Sequence, residues 1–159
     1  MVYVATATAG DEEMAERIAM HRAQRPVGWR TLELPTGVAA GVAATLTQDV
    51  SVIIILEDLT FLLSNLMADD SVSDDDAASA QASSGSEDLA ESQAIAEIQG
   101  LLTLHADIIL VSNEVGMGLV PPYPLGRRFR DALGRVNQLA ASACGEVYML
   151  FAGLPLQLK

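Results

Sequence analysis

The sequence predicts a layered α/β protein with a largely parallel sheet. Two observations carry this: short β-branched apolar runs recur along the chain, Val50 to Leu56 and Ile108 to Ser112 above all, and stretches with helical apolar spacing separate them. Strand–helix alternation of this kind implies crossover connections between parallel strands. With 159 residues, half of them hydrophobic, the chain suits one domain over 1–159 with a substantial core.

Val2 to Ala5 is β-prone and is broken by Thr6 to Gly10. Asp11 to Arg25 reads as a helix. Asp11, Glu12 and Glu13 crowd its first turn, at the positive end of the helix dipole, and Pro26 ends it. Met14, Ala15 and Ile18 form its expected buried stripe. Trp29 to Leu34 is extended, and Thr36 to Thr47 is an alanine-rich helix candidate. Val50 to Leu56 is apolar throughout, as expected of a strand covered on both faces. Thr60 to Met67 then reads as a helix. Ala68 to Ser92, nearly all Ala, Ser, Asp, Glu and Gly, holds too little apolar surface to offset the entropy of ordering. It is expected to be a disordered acidic loop over 68–92, feeding a helix through Ile95, Ile98, Leu101 and Leu102. Ile108 to Ser112 is a buried strand and Asn113 to Pro122 a Gly/Pro loop. Leu125 to Ala143 is a helix with Leu125, Phe129, Leu133, Val136 and Ala140 on one face. Val147 to Phe151 is expected to be a last core strand, with Leu156 to Leu158 adding an edge.

Composition narrows the function. A net charge of -12 argues against a nucleic-acid binder. No apolar run reaches the roughly 18–20 residues of a membrane span. The opening MVYVATATAG lacks the basic start of a signal peptide, so a cytoplasmic protein is expected. Cys144, the single cysteine, cannot form an intrachain disulfide or a cysteine-only metal site. No Lys or Arg occurs from Thr31 to Gly126. Apart from Lys159, the basic residues form two clusters: Arg17, Arg22, Arg25 and Arg30, then Arg127, Arg128, Arg130 and Arg135. Such clusters fit binding of a small anion and fit solvated helix faces equally well.

Ligands of parallel sheets bind beyond the carboxyl ends of the strands. Those ends are Ala5-Thr6, Glu57-Asp58, Ser112-Asn113-Glu114 and Phe151-Ala152. A carboxylate at the tip of a buried strand, as at Glu57 and Asp58, suits Mg2+ on a nucleotide or, equally, a helix cap. Asn113 and Glu114 repeat the pattern before VGMG, whose glycines allow close approach of a ligand or a plain turn. Helical spacing aligns Glu13, Arg17, His21 and Arg25 on one ridge. A histidine so flanked suits attack on phosphorus, although the periodicity alone favours an ordinary surface position. His105 lacks charged neighbours in sequence and reads as structural.

Three segments carry a family resemblance: EEMAERIAMHRAQRPVGWRT (Glu12 to Thr31), LEDLTFLLSNL (Leu56 to Leu66), and VSNEVGMGLVP followed by RRFRDALGRVNQ (Val111 to Gln138). Together they resemble the adenosylcobinamide kinase / adenosylcobinamide-phosphate guanylyltransferase family of cobalamin biosynthesis. The resemblance implies a P-loop-NTPase-like (RecA-like) three-layer fold. It also implies GTP-dependent phosphorylation of adenosylcobinamide, then transfer of GMP to adenosylcobinamide phosphate through a guanylylated histidine. It places that histidine at His21 and nucleotide contacts at Ala5, Thr6, Ala7, Arg22, Ala23, Gln24, Arg25, Glu33 and Glu57. Mg2+ would sit at Glu57, with GTP or ATP as substrate, in a homotrimer. The chain departs from the family at Asp58, where a cysteine is usual. It also contains no G-x-x-x-x-G-K-[ST] loop. Val2 to Ala5 aligns with the family's second strand, so the first strand–P-loop–helix is expected to be missing and activity low. The alternative is a catalytically inactive nucleotide- or corrinoid-binding or assembly protein that keeps the fold.

Overall fold

The computed structural model describes residues 1–46, 52–72 and 84–159, with side chains described outside 70–88. Its sheet contains β1 (Val2–Ala5), β2 (Arg30–Glu33), β3 (Ile53–Glu57) and β4 (Asp107–Val111), all parallel, in the order β2-β1-β3-β4. Helices α1 (Glu12–Gln24) and α2 (Val38–Ala43) follow β1 and β2; α3 (Leu59–Val72) and α4 (Ser84–Leu102) follow β3. Helix α5 (Pro124–Ala143) follows β4, and β5 (Tyr148–Phe151) and β6 (Leu154–Gln157) close the described chain. This is the expected α/β architecture.

The two faces of the sheet differ. Val2, Val4, Ile54 and Leu56 turn into a core closed by Val38 and Val42 of α2, Leu62, Leu63 and Leu66 of α3, Ala94, Ile98 and Leu101 of α4, and Leu133 and Val136 of α5. Neighbours in a parallel register share a face. The other face therefore carries Tyr3 with Thr31 and Ile55, then Ala5 with Glu33 and Glu57. It is only partly covered: Ile53 is 37% exposed and Ile109 48%. The strand expected to be covered on both faces is thus fully covered on one. Helix α1, which joins β1 to β2, buries none of its residues. Met14 and Ile18 are half-buried and Ala15 is exposed, so the expected stripe is only a shallow contact.

The acidic loop expected over 68–92 needs correction. Helix α3 continues to Val72 and α4 begins at Ser84; residues 73–83 lie outside the described set. Ala90 and Ala94 share one face of α4 with Ile98 and Leu101, and all four are buried. Alanine is the best helix former, and its small side chain lets the helix seat closely, which composition alone does not register. The helix expected over Thr36 to Thr47 is confined to α2. Thr47, and Val50 and Ser51 of the predicted third strand, lie outside the described residues.

The last strands also depart from expectation. Instead of joining the parallel sheet, β5 pairs antiparallel with β6 in a separate two-stranded sheet. Tyr148, Leu150, Phe151, Leu154 and Leu156 are exposed on it. An apolar β-prone run specifies a strand but not its partner. The hairpin is tied to the end of α5 by Lys159 Nζ, which donates to the carbonyls of Ser142 at 2.9 Å and Cys144 at 2.7 Å. Among the described residues, no helix is long and apolar enough to cross a membrane.

Candidate functional site at the carboxyl end of the sheet

The tips of β1 and β3 are locked together by Thr6, which is fully buried, and Asn65 extends the link to the chain after β2. Its backbone N–H donates to the Glu57 carbonyl at 3.1 Å, and its hydroxyl bonds both the N–H and the carbonyl of Asp58 at 2.8 Å. The Asn65 amide of α3 donates to the carbonyls of Thr6, at 2.8 Å, and Pro35, at 3.0 Å. With its hydroxyl, N–H and carbonyl all engaged and no surface exposed, Thr6 serves to join the strand tips, and of the expected contacts here only Ala5 and Ala7 are reachable.

Asp58 is a structural carboxylate. One oxygen caps α3 by accepting from the Phe61 N–H at 2.8 Å; the other accepts from the Asn113 amide at 3.1 Å. Burial raises its pKa, and these hydrogen bonds partly counter the rise. Asn113 is held further by Thr60 and, through its carbonyl, by the Asn137 amide. Glu114 turns its carboxylate onto the Gly116 N–H at 3.1 Å. A Cβ at Gly116 would lie 2.8 Å from that carboxylate, so the close approach this glycine permits is used by the chain itself. The carboxyl end of β4 is therefore spent on structure.

The partly open face is different. Glu57 accepts a hydrogen bond from the Tyr3 hydroxyl. The Arg25 guanidinium lies over the Tyr3 ring, 3.9 Å from its centroid, in a cation–π contact. Arg25 Nη1 also donates to the Thr31 hydroxyl at 3.3 Å. Trp29 stands beside the ring, centroids 6.3 Å apart. The Tyr3 phenol is pushed up to about 12, first by burial and then by its bond to the Glu57 carboxylate, with Arg25 opposing. Next to this group, Arg22 pairs with Glu33 at the tip of β2.

The ridge expected through His21 is split. Arg25 caps α1 with extended backbone, ψ 140°, because the residue before a proline is pushed out of the helical region. Its side chain therefore swings to the sheet. Arg17 bonds Glu13 one turn back, at 2.6 Å. His21, Ala23 and Gln24 remain exposed on the last turns of α1. Of the expected site residues, the structure gathers Ala5, Thr6, Glu33, Glu57, Arg22 and Arg25, and leaves His21 on the arm above them. Tyr3 was not singled out, since a lone aromatic in VYVA reads as core; Trp29 counted only as part of the segment that carries the resemblance. His105 is exposed before β4.

The second arginine cluster serves α5 and its loop. Arg127 donates to the carbonyls of Pro121 at 3.1 Å and Pro122 at 2.8 Å, and Arg130 to that of Gly116 at 2.7 Å. Beside them is an open cavity of about 560 Å3 whose lining includes Glu114, Val120, Asp131 and Gln138. No group of three or more His, Cys, Asp and Glu side chains among the described residues could hold a metal alone. Glu57, half-buried at the tip of β3, could give a metal one protein carboxylate at most, with a ligand and water supplying the rest of the shell.

Arginine forks and carboxylates at the carboxyl tips of a parallel sheet define a layered α/β protein of the kind that receives ligands beyond its strand ends. The chain belongs to the cobinamide kinase / cobinamide phosphate guanyltransferase family, whose model matches residues 1–158. It is 40% identical over 157 residues to the bifunctional adenosylcobalamin biosynthesis protein CobP of Pseudomonas aeruginosa, covering 99% of this chain and 81% of that protein. It is 38% identical to CobU of Escherichia coli, described in the same words, over 100% of this chain and 86% of the relative. The Salmonella typhimurium CobU is 37% identical with the same coverage.

Proposed function

We propose that this protein acts in cobalamin biosynthesis, using GTP both to phosphorylate adenosylcobinamide and to guanylylate the product. The observation that carries the reading is the meeting of Arg22, Arg25, Glu33 and Glu57 at the tips of β1, β2 and β3, in a chain that belongs to the family. In the kinase step the aminopropanol hydroxyl attacks the γ-phosphorus of GTP and GDP leaves. ATP is an alternative donor for this step. In the second step an imidazole nitrogen of His21 attacks the α-phosphorus and pyrophosphate leaves. A phosphate oxygen of adenosylcobinamide phosphate then attacks the same phosphorus, forming the diphosphate bridge and freeing His21. Exposure of His21 on the end of α1 suits a group that must reach a large corrinoid.

Arg22 and Arg25 bind and orient phosphates, the backbone at Ala5 and Ala7 lies along the nucleotide, and Ala23 and Gln24 complete the α1 contact. Glu33 and Glu57 accept hydrogen bonds from it. Mg2+ carried by the nucleotide and held at Glu57 would neutralise phosphate charge. We place the protein in the cytoplasm as one domain and expect a homotrimer, to be read by sedimentation. The sequence contains no glycine-rich GK[ST] loop. The test therefore uses both this chain and a form carrying such a strand–loop–helix unit ahead of Met1. Incubation with GTP labelled on the α-phosphate is expected to label the extended form far more than the chain alone. His21→Asn in the extended form is expected to abolish the label. Equal labelling of the His21→Asn protein and its parent overturns the assignment. Comparable turnover with and without the unit would show that residues of this chain alone cradle the phosphates.

A further inference from the structure

Tyr3 belongs to the hydrophobic part of β1, yet it makes two polar contacts, each to a residue assigned to the nucleotide. We infer that Tyr3 is a positioning residue: its ring seats the Arg25 guanidinium and its hydroxyl holds the Glu57 carboxylate, so that both reach GTP as one pre-set pair. The inference rests on the placement of GTP at Arg25 and Glu57 proposed above.

Arg25 and Glu57 come from different parts of the chain, the end of α1 and the tip of β3. Tyr3 lies in the strand between β2 and β3, with Thr31 and Ile55 as register partners on its own face. The phenol therefore points along the face toward Glu57, two residues beyond Ile55. The ring meets Arg25 at 3.9 Å, and the Thr31 hydroxyl fixes the other side of the guanidinium at 3.3 Å. Arginine is rich in rotamers, and ordering it only when ligand arrives costs affinity; a guanidinium already stacked and bonded loses less. The ring keeps the cation over its face and the carboxylate at its hydroxyl edge. Only 7% of Tyr3 is exposed, so the mount is a buried part of the sheet, while Arg25 and Glu57 stay half-buried and reachable. A tyrosine that merely fills space would need neither contact.

The single tryptophan, Trp29, stands beside the Tyr3 ring and supplies a readout independent of turnover. GTP titrated into the form carrying a strand–loop–helix unit ahead of Met1, the parent of the variants below, is expected to change Trp29 fluorescence saturably. Tyr3→Phe keeps the ring and removes the hydroxyl; it is expected to raise Kd for GTP about fivefold, the worth of one ordinary hydrogen bond, with cooperative unfolding retained and stability lowered by no more than about 1 kcal/mol. Tyr3→Leu also removes the cation–π seat and is expected to raise Kd further. The Tyr3→Phe/Glu57→Gln double variant is expected to bind no more weakly than Glu57→Gln alone, because the hydroxyl acts through that carboxylate. If Tyr3→Phe binds GTP like its parent while Arg25→Gln and Glu57→Gln bind weakly, the inference fails and the placement of GTP stands. Additive losses in the double variant also overturn it. If Arg25→Gln and Glu57→Gln bind normally, or the parent shows no saturable response, the placement and the inference fall together. A Tyr3→Leu protein that does not fold leaves the decision to Tyr3→Phe.

Discussion

Helix α1 buries none of its side chains, whereas α5 buries Ala132, Leu133, Val136 and Ala140. Each helix carries arginines, and each group serves a different purpose. On α5, Arg127 and Arg130 hold loop carbonyls, and Arg135 forks onto Glu91 of α4. On α1, Arg22 turns to Glu33 at the tip of β2, Arg25 at the helix end turns to Tyr3 of β1, and His21, the residue before Arg22, stays exposed. A helix anchored by a hydrophobic stripe can spend its cations on scaffold. A helix without one is held chiefly by its ends, and its cations lie where a ligand can reach them. The difference separates a supporting helix from a working arm, and substitutions in the two should behave differently.

The largest contrast is expected in packing. Leu133 is fully buried in α5, so Leu133→Ala should cost about 3 kcal/mol, as transfer energy plus a cavity. Met20 of α1 is 59% exposed, and Met20→Ala should stay within about 0.5 kcal/mol. Urea unfolding of the two variants measures both. A large loss at Met20 would show that α1 packs against something its exposure does not reveal.

A pH effect tests the buried Tyr3 phenol on which Arg25 rests. The Tyr3 phenol rises from 10.0 to about 12 on folding. Below pH 10 it is protonated in both states and contributes nothing to a pH dependence. Between 10 and 12 the unfolded chain ionises first, so stability is lost as pH rises, by a total on the order of 2 kcal/mol. Tyr3→Phe should flatten that part of the curve. Asp58 is also raised, so its folded form favours the proton; its contribution is present below the ordinary carboxylate range and is lost as pH rises through it. Acid unfolding, if steep, must therefore come from other carboxylates. A Tyr3→Phe protein with the same alkaline slope as its parent would refute the account.

The contrast between the two helices was half legible in the sequence. The α5 stripe shows in the spacing of Phe129, Leu133, Val136 and Ala140, since a helix that packs must repeat its apolar residues on one face; Leu125, expected on the same face, lies in the first turn and is 54% exposed. Its arginines were ambiguous, because their partners are carbonyls of a preceding loop and a carboxylate on another helix. Asp11 and Pro26 gave both ends of α1. The ridge through Arg25 failed because Pro26 acts on backbone, not periodicity. The strand cores IIIL and IILV were plain, whereas the partly open second face was hidden: Ile53, Ile55 and Ile109 are as apolar as buried neighbours. Glu57 was visible as a strand-tip carboxylate. Tyr3 was invisible, since its meaning depends on Arg25 and Glu57 arriving from distant segments.

A smaller effect is expected at the α4–α5 seam. Arg135 Nε and Nη2 donate to Glu91 at 2.6 to 2.9 Å, and the Glu91 side chain is only 14% exposed. A forked bond to a largely covered carboxylate exceeds an ordinary surface pair, so Arg135→Ala should cost about 1 kcal/mol. Nucleotide affinity should not change, because the pair lies away from the strand tips. Loss of GTP binding in that variant would move the functional site toward α5.

A small expected effect on stability, at Arg22, is the most informative about function. Arg22 and Glu33 form an ion pair whose side chains are 57% and 55% exposed. Water and salt screen such a pair, and ordering two long side chains costs entropy, so its net worth is roughly 0–1 kcal/mol. Arg22→Ala should therefore shift the unfolding midpoint barely at all, and less still at high salt. It should nevertheless weaken GTP binding, because the planar guanidinium offers phosphate two parallel donors that no neighbour replaces. Arg22→Lys separates charge from shape: a lysine keeps attraction but loses the fork, so its affinity should fall between parent and alanine. Glu33→Gln removes the resident carboxylate without removing the cation. If Glu33 only parks Arg22, that variant should bind GTP at least as well as its parent; if Glu33 itself accepts from the nucleotide, binding should weaken. Measuring unfolding and GTP affinity on these three variants distinguishes an arm that holds a ligand from a surface ion pair, and a null result in both would return Arg22 to the solvated helix face.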